Sequence, residues 1–376
     1  LHNSKKYTNF AAFCITLNKH RDMKKFFTLS LLVTCALNMW AERFNVDGIY
    51  YNIDSENKTA QVTFKGNTYQ DYEGEYVGSV TIPSIVSYND QDYTVVAVGD
   101  NAFGQNQITS VTIPSTITTI SETAMAGCAA LAEVVVSAEN EYFASTGGVL
   151  FNKDKTKLIL YPIAKEGTSY SIPDGVVALA IYSFYMTNLE SVVMPNTVVE
   201  VERYAFYGAK KLATITLGDG VELVGVCAFA ACDALTSVIL PASIATIEDA
   251  AFSECPAIST ITCYAKQVPN ISVFAFFSLP MDKVVLYVPC ESMDAYKSHG
   301  VFGDFVNIEC IEDTPTSIDA ITEDVAISVV GGLIACSDDF VIYNMIGKNV
   351  TACNGSLPAG IYLVSARNTI KKVLVK

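Results

Sequence analysis

A 23-residue period constrains this chain more than any other feature. Four segments align without gaps: 110–132, 191–213, 214–236 and 237–259, the last three in tandem. The same chemistry returns at the same offsets. Val111, Val192, Ile215 and Val238 hold the second position, and Ile113, Met194, Leu217 and Leu240 the fourth. Pro114, Pro195 and Pro241 hold the fifth, with Gly218 in the odd copy. Ile120, Val201, Val224 and Ile247 follow, then Ala124-Met125, Ala205-Phe206, Ala228-Phe229 and Ala251-Phe252. Leu131, Leu212, Leu235 and Ile258 close each unit. A shorter copy at 169–190 keeps Ile172-Pro173, Leu179, Phe184 and Leu189, and a degenerate first copy has Val98, Ala102-Phe103 and Ile108. The Ser-Val-Thr-Ile-Pro of 79–83 returns at 110–114.

Each unit opens on residues that alternate small-polar with aliphatic, which predicts a short strand. Proline stops it, because proline cannot donate the next ladder hydrogen bond. The Ala-Phe segment is expected as a short turn of helix or a loop on the opposite side. One unit cannot bury its own aliphatic and aromatic positions. Stacked units bury them in continuous columns, so a solenoid is the expected architecture.

The period is interrupted once and capped twice. Between the first full unit and the next, 147–152 and 158–162 are apolar runs around the polar turn Lys153-Asp154-Lys155-Thr156-Lys157, which predicts a hairpin. It is read as an excursion at about 137–168 from a rung whose own strand is Val134-Val135-Val136. Alternating stretches at 42–92 predict an N-terminal β cap that covers the open end of the repeats at 93–262. Residues 263–312 drift out of register and are expected to close the other end, with a late strand at 284–289 and one short helix at 294–297. The polar stretch 313–317 reads as a linker. Beyond it, 318–376 reads as a small all-β unit with runs at 326–330, 340–343, 360–365 and 370–375.

The start of the chain has the order of a secretory signal. Met23-Lys24-Lys25 is basic, 26–37 is apolar, and Ala41 precedes acidic Glu42. The expectation is a signal peptide over 23–41 cleaved after Ala41, with 1–22 as translated upstream sequence. A lipoprotein signal ending at Cys35 is the alternative. The apolar run is too short to span a bilayer, which needs about 20 apolar residues, so no transmembrane span is expected in the mature chain. Hydrophobic residues make up 51% and charged residues 17%, enough apolar material for a large core. The first 41 residues carry six basic and one acidic residue, leaving 18 basic against 38 acidic and a net charge of -20. A body that acidic repels nucleic acid and anionic lipid and favours cations or basic partners.

Chemistry-bearing patterns are sparse. His299, in a Ser-His-Gly turn, is the one histidine after residue 41, so a multi-histidine metal site within one chain is excluded and a Cys/His pair lacks support. His299 reads as a surface-loop residue. Asp219, Glu222, Asp249 and Glu254 read as solvated faces without glycosidase-like pairing or calcium-loop spacing. No catalytic residue, cofactor or metal is expected. Cys128, Cys232 and Cys255 share one repeat position, with Ala209 in the fourth copy. A Cys232–Cys255 disulfide and a buried ladder of small thiols are both open, and alternation with alanine favours the ladder. A bridge within the C-terminal cap, among Cys263, Cys290 and Cys310, is also open. Outward strand positions form the candidate binding face: Ser110, Ser191, Thr214, Ser237 and Thr260, beside Thr112, Val193, Thr216, Ile239 and Thr262. Their other role is plain β-propensity and ladder support. Tyr182, Tyr185, Tyr204 and Tyr207 are candidates for a glycan-binding aromatic cluster.

The Ser-Val-Xaa-Xaa-Pro … Ile … Ala-Phe … Cys … Leu unit resembles the BspA-like leucine-rich repeats of Bacteroidetes surface proteins, over roughly 44–310. Leu-Phe-Asn-Lys-Asp-Lys-Thr-Lys-Leu at 150–158 resembles that family's insert, and Val46-Asp47-Gly48-Ile49-Tyr50-Tyr51 its N-terminal start. The C-terminal unit separately resembles sorting domains of type IX secretion, through 341–348, 357–364 and the basic-aliphatic tail 370–376. These resemblances imply a β-rich α/β solenoid: a leucine-rich-repeat, right-handed superhelix of short strands with short helices or turns. A small C-terminal all-β, sandwich-like domain follows it. They imply an exported protein, at the cell surface or extracellular, whose C-terminal domain is read by the export machinery. Its expected work is non-catalytic adhesion to surface or extracellular proteins, host matrix among them. Capture of a glycan or nutrient is the alternative.

Overall fold

The computed structural model describes residues 42–66 and 74–311, and in the C-terminal part 327–330, 333–336, 340–344, 350–351, 354, 360–366 and 369–375. The leader at 23–41, the stretch 1–22 and the linker at 313–317 lie outside the described residues. The chain divides into two units, Leu1–Ile311 and Glu312–Lys376.

The first unit is a solenoid of parallel strand ladders. On one side, Ser169–Ser171, Ser191–Val193 and Thr214–Thr216 pair in parallel, as do Ser237–Leu240, Thr260–Cys263, Val285–Val288 and Asn307–Cys310. On the other, two-residue strands stack rung upon rung: Ala178–Leu179, Glu200–Val201, Leu223–Val224, Thr246–Ile247 and Asn270–Ile271. Ser237–Leu240 stops immediately before Pro241, and Gln107–Ile113 before Pro114. Within each pair one side chain faces in and one faces out, the strand alternation expected from the sequence. Val192, Ile215, Val238, Leu179, Val201, Val224 and Ile247 are all buried.

The Ala-Phe segment is a turn, not a helix, and it forms a third ladder. The N–H groups of Phe184, Phe206, Phe229 and Phe252 donate to the carbonyls of Ala205, Ala228, Ala251 and Ala275 one rung further on, at 2.7–2.9 Å. Left-handed residues recur on either side of the phenylalanine: Tyr182, Tyr204, Cys227 and Ala250 before it, Met186, Gly208, Ala231 and Glu254 after it. A helix cannot pass through such residues, and the rung-to-rung bonds offset their strain. Inside, the rings stack almost parallel. Centroids are 4.6 Å apart for Phe184–Phe206, 5.0 Å for Phe206–Phe229, 5.3 Å for Phe229–Phe252 and 5.9 Å for Phe252–Phe276. That spacing follows the strand separation of about 4.8 Å. Each pair adds roughly 0.5–1.5 kcal/mol beyond its area burial. Phe302 and Phe305 close the column edge-on against Phe276. Gly218, which breaks the proline pattern, sits where the rungs touch: a Cβ there would lie 2.1 Å from the Pro195 carbonyl oxygen.

The insert differs from a pure excursion. Its hairpin is present, Val149–Asn152 against Lys157–Leu160, with Phe143–Thr146 as a third antiparallel strand. Lys157–Leu160, however, also pairs in parallel with Ala178–Leu179, so it serves as a rung of the two-residue-strand ladder. Tyr161, directly after it, stacks on Phe184 at 5.3 Å and starts the aromatic column. Asn140 fastens the insert to the preceding rung through bonds from Nδ2 to the Pro114 and Ile117 carbonyls. Successive residues of a strand face opposite ways, and Val149–Asn152 uses this to divide the interior. Val149 and Phe151 pack into the core of the later rungs, and Leu150 packs into the N-terminal core.

Residues 42–98 supply five strands of a mixed sheet in the spatial order Glu42–Val46, Ile49–Asp54, Thr59–Thr63, Gln91–Val98, Ile85–Tyr88, in which Thr59–Thr63 and Gln91–Val98 run parallel and the other neighbours antiparallel. Val77–Thr81 is already a rung strand, parallel to Gln107–Ile113 and through it to Glu133–Val136. At the other end, ladder strands continue through Asn307–Cys310. The helix Met293–Ser298 buries Tyr296 against them, in contact with the Cys263 thiol at 3.2 Å. The stretch 263–312 therefore carries further rungs as well as the closing turn. In the second unit, Ile327–Val330 pairs with Leu333–Cys336, a strand the sequence did not suggest. Phe340–Asn344, Gly360–Ala366 and Thr369–Val375 form an antiparallel sheet. Ile334, Ile342, Tyr362 and Val364 make its small core.

Candidate binding surface

Outward side chains of the longer strands form two rows. Register places Ser191 beside Thr214 and Ser237 beside Thr260 in one row, with Val193 beside Thr216 and Ile239 beside Thr262 in the other. The Thr236 N–H bonds to the Ala213 carbonyl at 3.3 Å and joins the two strand groups. Val285 and Tyr287 extend the rows. Ser110 and Thr112 lie on the separate three-stranded sheet, between Ser79 and Thr81 on one side and Glu133 and Val135 on the other. Eight of the ten candidate residues thus share one stretch of ladder, and Ser110 and Thr112 stand across the insert from them. The surface is mixed in character: Val193 is 47% exposed and Ile239 45%, among hydroxyls. Ser110 and Ser79 hydrogen-bond to each other at 2.9 Å, so part of the row is satisfied within itself.

The tyrosines occupy the turn side. Tyr182 stacks on Tyr204 at 5.2 Å and Tyr185 on Tyr207 at 5.9 Å, one rung apart. Tyr204 is buried and the other three are half-buried. Burial pushes the Tyr182 phenol up to about 12.

His299 is half-buried, and its Nδ1 accepts the Val301 N–H at 3.2 Å at the start of the turn Phe302–Asp304. It lies in the bend between the helix Met293–Ser298 and that turn, a loop position. The repeated cysteines settle as thiols. Cys128, Cys232 and Cys255 are free and buried, and they donate to the carbonyls of Phe103, Phe206 and Phe229 in the preceding rung at 2.9, 3.4 and 3.1 Å. Burial pushes the Cys128 thiol up to about 12 and raises Cys232 as well. Cys290 and Cys310 form a disulfide between the ends of adjacent rungs. Among the described residues, no group of three His, Cys, Asp or Glu side chains is placed to hold a metal. No helix of the described residues is long and apolar enough to cross a membrane.

A feature that sequence reasoning missed lies at the N-terminal end. A cavity of about 600 Å³ sits between the turn at 46–49, the strand Val77–Thr81 and the strand Ile85–Tyr88. Asp47 and Gly48 both have positive φ, the backbone of a two-residue hairpin turn. That dipeptide was the one local signal available. The wall opposite it comes from residues about 30 positions away, which no pattern links to it.

No curated protein matches the chain. Similar solved structures include the pneumococcal vaccine antigen PcpA, at 17% identity and TM-score 0.41, covering 72% of this chain and 97% of that one. A leucine-rich cell surface protein of Faecalibacterium prausnitzii has 17% identity and TM-score 0.40 over 73% of this chain and 96% of that one. A leucine-rich repeat protein of Bacteroides ovatus has 18% identity and TM-score 0.39 over 71% and 76%. The family model for the BspA-type leucine-rich repeat region matches six copies, over residues 79–158 and 178–297. With that match covering more than half of its length, the chain belongs to the BspA-type leucine-rich repeat family.

Proposed function

We propose that this protein is an exported, non-catalytic scaffold that binds other proteins at the cell surface or outside the cell through its strand face. The observation that carries the reading is the outward row in which Val193 pairs with Thr216 and Ile239 with Thr262, Val193 and Ile239 standing nearly half exposed. Flat, rigid, mildly apolar surface with hydroxyls suits a protein partner, because ordering it on binding costs little side-chain entropy. The acidic body favours basic partners and disfavours nucleic acid. The C-terminal unit is the part that export machinery would read, given its resemblance to sorting domains.

Glycan capture by the tyrosines is the second reading. It is less favoured because Tyr182 and Tyr204, and likewise Tyr185 and Tyr207, stack on each other, which occupies ring faces a sugar would need. The deciding experiment screens the purified chain against matrix proteins and glycans, with Val193→Asp/Ile239→Asp and Tyr182→Ala/Tyr185→Ala variants. Saturable protein binding that is lost in the first variant is expected. Binding to glycan alone, lost in the second, would replace this reading with the other.

A further inference from the structure

The cavity at the N-terminal end carries chemistry that the repeats lack. Among the described residues, two acidic side chains line it, Asp47 and Glu75, and no basic one does. Glu75 Oε2 accepts the Lys65 N–H at 2.7 Å, whereas Oε1 is buried with no hydrogen-bond partner among the described residues. The Lys65 bond holds the Glu75 carboxylate beside the cavity. The other walls are aliphatic, hydroxylic or aromatic. Val77 and Ile85 are 69% and 56% exposed, and Ser79, Thr81 and the aromatic Tyr76 are among the other lining residues. At about 600 Å³ the cavity is larger than one long side chain, within the roughly 300–1,000 Å³ of ligand sites.

We propose that this cavity is a subsite for a lysine or arginine side chain of the protein partner, a step that rests on the protein-binding reading above. Lysine and arginine combine an aliphatic stem with a cationic head, which matches Val77 and Ile85 beside two carboxylates. Residues 42–376 carry a net charge of -20, which draws cationic groups toward the surface. The cavity also continues into the strand face. Ser79 and Thr81 line it and stand in register with Ser110 and Thr112. Val77–Thr81 and Ile85–Tyr88 are both end strands of their sheets, so an extended partner segment can approach between two open edges.

The test uses the full chain, N-acetyl-arginine amide as probe and N-acetyl-norleucine amide as the uncharged control, followed by backbone amide shifts in NMR. Saturable shifts centred on Gly48, Val77, Ser79 and Ile85 are expected, with affinity roughly tenfold above that of the control. The double variant Asp47→Asn/Glu75→Gln should lose roughly tenfold in affinity for the arginine probe. Asparagine tolerates the positive φ at position 47, and glutamine keeps an acceptor for Lys65, so the fold is retained. Equal affinity for both probes, shifts centred elsewhere or absent, or an unchanged double variant overturns the assignment. None of these outcomes depends on finding the macromolecular partner, so failure of the subsite and failure of the protein-binding reading are read separately.

Discussion

The two halves of the solenoid interior solve the same packing problem differently. From Tyr161 to Phe276 the core is a column of near-parallel rings, one per rung, with the N–H of Phe184, Phe206, Phe229 and Phe252 tied to the next rung. In the N-terminal half the same position holds Phe103 and then Met125, and Tyr76 meets Phe103 edge-on at 5.0 Å. There, antiparallel hairpins at 42–98 adjoin three parallel rung strands. Strict repetition fills the interior rung by rung with the same ring. The irregular half brings turns and strand ends together at unmatched angles, and the cavity with its two carboxylates lies there. The described cavity thus lies where the strand pairing is irregular.

This contrast can be broken most severely at the centre of the column. Phe229→Ala removes a ring stacked on both sides and should cost about 3–5 kcal/mol, measured by chemical denaturation. A cost below about 1 kcal/mol would mean that the column is not what holds the rungs together. Next in size is the partition strand. Leu150→Ala and Phe151→Ala should each cost about 2–5 kcal/mol. Hydrogen exchange should show protection lost chiefly in 44–136 for the first and in 158–305 for the second. Loss in the same region for both would erase the boundary between the halves.

A smaller effect at neutral pH concerns titration. The Cys128 thiol is raised from 9.0 to about 12, and the Tyr170 and Tyr182 phenols from 10.0 to about 12, with burial the leading cause for each. Their folded values exceed the unfolded ones, so their contribution is fully present below pH 9 and is lost as pH rises toward 12. Stability should hold up to pH 9 and fall between pH 9 and 12. Cys128→Ala, in the irregular half, should flatten the start of that fall in an alkaline denaturation series. The smallest effect is on the outer face: Thr216→Ala should change stability by no more than about 0.5 kcal/mol. A larger loss would show that the row serves the ladder and not a partner.

The legible part of this fold is the part that repeats. Val192, Ile215 and Val238 announced an inward row, Pro241 announced a strand end, and alternation of Cys232 with Ala209 pointed to small buried groups; all three hold. What was not legible rests on single, non-repeating contacts. That Lys157–Leu160 serves as both hairpin and rung depends on where the insert folds back, which Asn140 fixes through carbonyls more than 20 residues away. Pairing of Cys290 with Cys310 depends on the rung that brings them together.

The sequence by itself determined the period, the inward and outward positions, and hence the solenoid, because a pattern that cannot be buried within one unit must be buried between copies. Only the tertiary structure decided the turn ladder in place of helices, the division of the core at Val149–Asn152, and the cavity beside Asp47 and Glu75. Those features arise from distant segments meeting once, and a contact made once leaves no period in the sequence to be read.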